Sequence, residues 1–213
     1  NLYDPIKDPN KYFLYLLNYF TEERIKNKNL YKKGLKEYFA LEQSQKVLIS
    51  SFYGFLATTG LNFNSPSIAE IVTEKGREIL HLGLDWVKLQ GYEIINADTD
   101  SISLSKQDNS SWLDQEKQDI LDNINKLYPE KINWDIEGLF DKMLVLKSKN
   151  YATISKEEGL KLKGSALKAS SKEKALQEMI LKILKSLMGL NAEPIDEIKE
   201  KYLHEIENIS DIN

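Results

Sequence analysis

The stretch "EIINADTDSISLS", Glu93 to Ser105, sets two aspartates one residue apart between two apolar, β-branched runs. The run "YEIINA" reads as a buried strand, "DTDS" as a tight turn and "ISLS" as the returning strand of a β-hairpin. Asp98 and Asp100 then stand together at one end of a sheet. Carboxylate oxygens at that spacing suit magnesium, which takes a few carboxylates together with substrate phosphates. They suit an ordinary turn equally well, because Asp and Ser side chains bond nearby backbone groups. Taken alone, the pattern supports either reading.

Upstream of this hairpin the chain is helical in pattern. From Asp8 to Lys36, Phe13, Leu16, Leu17, Phe20 and Ile25 recur close to the spacing of one helical face. Asn29 and Gly34 offer a turn, and "LKEYFALEQSQKVLISSFYGFLA" continues with Tyr38, Leu41, Val47, Leu48 and Phe52 as apolar positions. The two segments make an antiparallel helical hairpin whose cations, Arg24, Lys28 and Lys46, could face one groove. Arg24 could clamp a phosphate through its planar fork and Lys46 could add a point charge, although helix-surface cations are commonly just solvated. Tyr53 and Gly54 follow Lys46 on roughly its face, either as a flat platform for a base or as core packing. After "TTGLNFNSPS", Ser67 with Glu70 three residues on predicts a capped helix running toward Gln90 and ended by Gly91.

Downstream, "SSWLDQEKQDILDNINKLYPE" predicts a helix stopped before Pro129. "KMLVLKSKNYATIS" and "LKLKGS" bracket the turn "KEEG" as a second hairpin, and two amphipathic helices follow from Ser171 onward. Strands in the middle flanked by helices predict an α+β fold. The 213 residues suffice for one or two cores, and 41% hydrophobic with 29% charged residues is the balance of a globular protein, not a disordered one. No apolar run approaches a membrane span, and the first residues lack the pattern of a signal peptide. Without cysteine there is no disulfide framework and no thiolate metal site, so a cytoplasmic location is expected. His81 and His204 have no partner spacing that suggests a role.

The net charge of −4 excludes a uniformly basic nucleic-acid binder but hides an asymmetry. Between Lys142 and Lys174 nine lysines face three acids, Glu157, Glu158 and Glu173, whereas the tail from Asn191 is acidic. A solvated face explains such a stretch as readily as a polyanion partner does.

The order of these pieces resembles the family B DNA-directed DNA polymerases, from about residue 13 to about residue 170. "KVLISSFYGFL" is similar to the fingers motif K-x-x-x-N-S-x-Y-G through Lys46, Ser51, Tyr53 and Gly54, with Ser50 where asparagine is usual. "ADTDSI" is similar to the palm motif Y-G-D-T-D-S through Asp98, Thr99, Asp100 and Ser101, with Asn96 and Ala97 in place of Tyr-Gly. "SIAEIVTEKGREIL" between them carries the family's Thr followed by Gly-Arg, at Thr73, Gly76 and Arg77. "YFTEERIKNK" resembles the first fingers helix, where Arg24 and Lys28 match the cations that serve the incoming triphosphate. "KSKNYA" resembles the primer-tracking K-K-R-Y element through Lys149 and Tyr151, with Ser148 and Asn150 departing, and "LKLKGSALK" resembles the K-G start of the thumb through Lys163 and Gly164.

The resemblance implies helical-hairpin fingers over residues 1–66, an antiparallel-sheet palm with packed helices over 67–166 and a partial, helical thumb over 167–213. It implies magnesium as cofactor, with Asp100 the metal ligand and Asp98 an accessory carboxylate. It further implies that Arg24, Lys28, Lys46, Ser50, Tyr53 and Thr99 serve the dNTP, and that Lys149, Tyr151, Lys163 and Gly164 serve the primer-template DNA. The lysine-rich stretch would lie along the DNA backbone. The family's other palm motif, D-x-x-S-L-Y-P-S, has no match beyond an echo in "NLYDP" at residues 1–5. The chain is therefore expected to be a C-terminal piece of a polymerase, whose partner is the missing N-terminal part and which is incomplete as a catalyst alone. One rival is a non-catalytic primer-template binding module or split subunit. A nucleotide-sugar transferase with a D-x-D metal site is the other, and the helical hairpin upstream argues against the Rossmann-like order that class needs.

Overall fold

The computed structural model describes residues 8–60, 64–168, 173–191 and 193–210. The "NLYDP" echo, the middle of the "TTGLNFNSPS" loop and Lys172 lie outside the described residues, as does the side chain of Lys168. Helices and antiparallel strands combine in the expected α+β arrangement, and the chain divides into two compact units, Asn1–Ile79 and Leu80–Asn213.

The first unit is built on the helical hairpin of α1 (Tyr12–Lys32) and α2 (Tyr38–Ala57). Asp8 does not start α1 but caps it, its Oδ2 accepting from the backbone N–H of Phe13 at 2.8 Å. Gly34 ends α1: at φ +95° its N–H donates to the Tyr31 carbonyl while that of Leu35 donates to Leu30, the paired bonds of a left-handed C-cap. The seam between the helices is aromatic at both ends, with Phe52 against Phe13 and Phe20, and Tyr31 against Phe39. Polar pairs occupy its middle: Arg24 with Glu42, and Asn27 with Gln45. Leu16, Ile25, Leu41, Val47 and Leu48, expected on the apolar faces, stay exposed, because two helices share one seam and leave their other sides uncovered.

A third helix, α3 (Pro66–Leu89), begins in the first unit and continues into the second. Pro66 is its first residue, so the cap position is Ser65 and not Ser67; proline at that place gives up only an N–H that would be orphaned anyway. Gly91, at φ +78°, closes the helix as expected, with the N–H groups of Gly91 and Tyr92 donating to Lys88 and Val87.

In the second unit β1 (Glu93–Asp98) and β2 (Ser101–Ser105) form the expected antiparallel hairpin, with Asp98 opposite Ser101. A bulge at Ile95 interrupts the register, and β1 is half-buried rather than buried, since a two-stranded sheet covers little of its own surface. Gly83 of α3 lets the hairpin's neighbours come close: a Cβ there would lie 3.0 Å from both Trp134 and Tyr128 and 3.2 Å from Ile102. α4 (Asp114–Asn125) stops short of the proline because the Asn125 side chain leaves the helix direction to pair with the Trp134 backbone, donating to its carbonyl and accepting from its N–H.

The second hairpin is a three-stranded meander of β3 (Lys142–Lys147), β4 (Asn150–Ser155) and β5 (Gly159–Lys163). The run "KMLVLKSKNYATIS" is thus two strands, folded back at Ser148 and Lys149. After the short α5 (Ser165–Lys168) come α6 (Lys174–Leu187) and α7 (Ile195–Ser210), as the periodicity predicts. Ala152, Leu167, Leu184 and Met188 form the core here, with Leu144, Ile154, Leu160, Leu162 and Ile180 packed around them. The core therefore joins the sheet to α6. Lys142 closes the far end of that helix, its Nζ donating to the Met188 carbonyl at 2.8 Å.

Candidate functional site

The tip of the first β-hairpin is tighter than an ordinary two-residue turn. Asp100 N–H donates to the Asp98 carbonyl, closing a three-residue loop around Thr99, whose φ is +49°. A β-branched residue in the left-handed region is strained, and neighbouring bonds hold it there. Thr99 Oγ1 donates to Asp98 Oδ1 at 2.9 Å, and Ser101 Oγ donates to the Asp98 carbonyl at 3.1 Å. Asp98 is thereby fixed, while Asp100 points its exposed side chain outward without a hydrogen-bond partner among the described residues.

Lys149 reaches this tip from the β3–β4 turn, 51 residues along the chain, with Nζ 2.9 Å from Asp98 Oδ1. Its bond, and after it that of Thr99, hold the Asp98 carboxyl below its ordinary range. Three features fix the turn that carries Lys149. Lys149 takes φ +60°; the buried Asn150 donates to the Ser148 carbonyl and accepts from the N–H of Ala166; and Gly164, at φ +104°, lies under both. A Cβ on Gly164 would come within 2.2 Å of the Lys149 carbonyl oxygen and 2.4 Å of Asn150 Oδ1. Tyr151 and Lys163 are paired across β4 and β5, with the ammonium 5.6 Å from the ring centre. Lys163 is held more strongly protonated than usual, chiefly by its interaction with Tyr151, with Glu137 and Asp98 adding to it.

The structure thus brings Asp98, Thr99, Lys149, Tyr151, Lys163 and Gly164 into one neighbourhood. The donor types fit a hard divalent cation, since Asp98 and Asp100, one residue apart in the chain, both offer carboxylate oxygens. The set is small, however: no group of three His, Cys, Asp or Glu side chains occurs among the described residues. Any further ligand oxygens would come from outside the described residues.

Within the first unit Arg24 Nε donates to Glu42 Oε1 at 2.9 Å. Lys28 follows Arg24 by one turn of α1, and Lys46, exposed, follows Glu42 by one turn of α2. Ser50 donates its hydroxyl to the Lys46 carbonyl, and Tyr53 is exposed, not core. Sequence reasoning gave no role to Glu42, Asn150 or Glu137. Their signal was faint: an acid among apolar helix positions, and an asparagine where the polymerase element has arginine.

Comparison with known proteins agrees with the family resemblance. The family model described as DNA polymerase family B matches residues 13–212. The DNA polymerase alpha catalytic subunit of Drosophila melanogaster is 34% identical over 121 residues, 55% of this chain and 8% of that protein. A DNA polymerase of Archaeoglobus fulgidus is 27% identical over 191 residues, 84% of this chain and 24% of its own length. DNA polymerase II of Escherichia coli is 38% identical over 61 residues, 29% of this chain and 8% of the relative. The chain therefore spans a quarter or less of these relatives.

Proposed function

The chain belongs to DNA polymerase family B, and on that premise we propose that it supplies the fingers (1–66), palm (67–166) and first part of the thumb (167–213) of a DNA-directed DNA polymerase. The reaction is template-directed attack of a primer 3′-hydroxyl on the α-phosphate of a dNTP, with pyrophosphate leaving. The observation that most supports it is the approach of Lys149 to Asp98, which sets a residue of the primer-tracking element against the D-x-D hairpin.

In this reading Asp100, exposed and free to turn, is the metal ligand, and Asp98 shapes the turn beside it. Magnesium, when bound, lowers the barrier by stabilising charge on the attacking and leaving oxygens. Thr99 fixes the hairpin tip through its hydroxyl and borders the nucleotide. Arg24, Lys28 and Lys46 hold the triphosphate, and Ser50 and Tyr53 line the place of the nascent base pair. Lys149 and Lys163 contact primer phosphates, Tyr151 stiffens Lys163, and Gly164 permits the close turn that presents Lys149. A second bridging carboxylate comes from outside the described residues. Should it come from a separate polypeptide, the chain is a primer-template binding subunit of a split enzyme.

The test is magnesium-dependent primer extension by an active polymerase carrying these residues. Asp100→Asn should lower the single-nucleotide incorporation rate by about a thousandfold or more, as loss of a charge-stabilising group does, with primer-template affinity unchanged. Near-normal incorporation would remove Asp100 from the site. Extension by this chain alone, without any added polypeptide, would refute the subunit reading.

A further inference from the structure

Glu42 is a carboxylate buried in the seam between α1 and α2, its side chain only 7% exposed. Burying an acid costs stability unless its oxygens are satisfied. Both are: Oε1 accepts from Arg24 Nε at 2.9 Å, and Oε2 accepts from Gln43 Nε2 at 2.6 Å. The manner of the Arg24 bond is informative. A pair that served only to neutralise the acid would favour two parallel bonds, fork to fork. Here the guanidinium engages through Nε, and its two terminal nitrogens donate to no described residue. The Arg24 side chain remains 31% exposed, so it is not sealed in the seam with Glu42. Next to this pair, Asn27 Nδ2 donates to Gln45 Oε1 at 3.0 Å and holds the two helices in register.

We propose that Glu42 is a positioning residue for nucleotide capture: it grips the Nε edge of Arg24 and so presents the terminal fork of the guanidinium to the dNTP phosphates. The inference rests on the assignment of Arg24 to the triphosphate. Arginine has a long side chain with many rotamers, and fixing it before the ligand arrives removes an ordering cost from binding. Fixing it through Nε leaves the edge that matches two phosphate oxygens open. Lys46, one turn beyond Glu42, adds a point charge that needs no such alignment.

Steady-state incorporation by an active polymerase carrying these residues tests the idea. Glu42→Met keeps the volume but removes the acceptor, and should raise KM for dNTP about tenfold, the size of one charged hydrogen bond, with kcat and primer-template affinity within about twofold. Glu42→Gln retains a neutral acceptor and should restore KM to within about threefold of the parent. In an Arg24→Lys background, which has no Nε, Glu42→Met should add no further loss. A merely structural Glu42 would instead give equal losses in both backgrounds, and that result overturns the proposal, as does an unchanged KM in Glu42→Met. The underlying assignment fails differently: Arg24→Ala would then leave KM for dNTP unaltered. Should Glu42→Met lower the melting temperature, the Nε–Hε resonance of Arg24 in Glu42→Gln decides: loss of its hydrogen-bonded shift with KM intact contradicts the proposal, and retention of that shift with KM intact supports it.

Discussion

The two units each hold one arginine- or lysine-to-carboxylate contact at a proposed functional position, and the two contacts differ in kind. Arg24 and Glu42 meet in the buried middle of a helical seam, whereas Lys149 and Asp98 meet at an exposed sheet edge, with Lys149 66% and Asp98 32% exposed. A buried pair cannot separate without stranding an acid in a dry place, so it fixes geometry. Exposed pairs cost little to break and are screened by salt. Accordingly, Glu42 suits a residue that must stay in position, and Asp98 suits a resting place that a DNA phosphate can take over from.

The backbone beneath the exposed contact is the place to break that contrast. Gly164→Ala would force a side chain at φ +104° against the Lys149 carbonyl, and should cost about 3 kcal/mol or more. The melting temperature should then fall by roughly 10 °C. Calorimetry checks this, and an unchanged melting temperature would show that the turn relaxes freely. A smaller effect is expected from Lys149→Ala: weaker primer-template binding, with the slope of log affinity against log salt reduced by about 1. Fluorescence anisotropy at several salt concentrations reads both quantities, and an unaltered slope would take Lys149 off the DNA.

The smallest effect is electrostatic. Asp98 is held below its ordinary range by Lys149 and then Thr99. Any stability from this contact is therefore present above the unfolded carboxyl value and lost as pH falls through the lower folded one. An NMR titration of the Asp98 carboxyl should show its midpoint rising toward the ordinary value in Lys149→Ala. A midpoint that stays put would assign the shift to Thr99.

Much of this organisation was legible in the sequence because its signals are local. The helical hairpin follows from apolar spacing and Gly34, and the β-hairpin from β-branched runs around "DTDS". What escaped depends on distant residues. The turn at Ser148 and Lys149 contains neither glycine nor proline, and it is made by Asn150 reaching Ala166 and by Gly164 beneath the chain. α4 ends early because Asn125 pairs with Trp134, nine residues on. Leu41 and Val47 have core character yet lie exposed, since periodicity reports a face but not what covers it. At the site, charge and spacing left "DTDS" open between turn and metal ligand. The folded hairpin makes it a turn that leaves Asp100 exposed, so the turn and the proposed metal ligand are compatible.

On this reading Asp100 at the hairpin tip takes a divalent cation. Adding Mn2+ to the 15N-labelled chain measures it most directly, through paramagnetic broadening of backbone amides. Selective broadening around residues 98–101 that disappears in Asp100→Asn is the expected result. Broadening spread over the acidic helix α7 instead, or unchanged by that substitution, would contradict it.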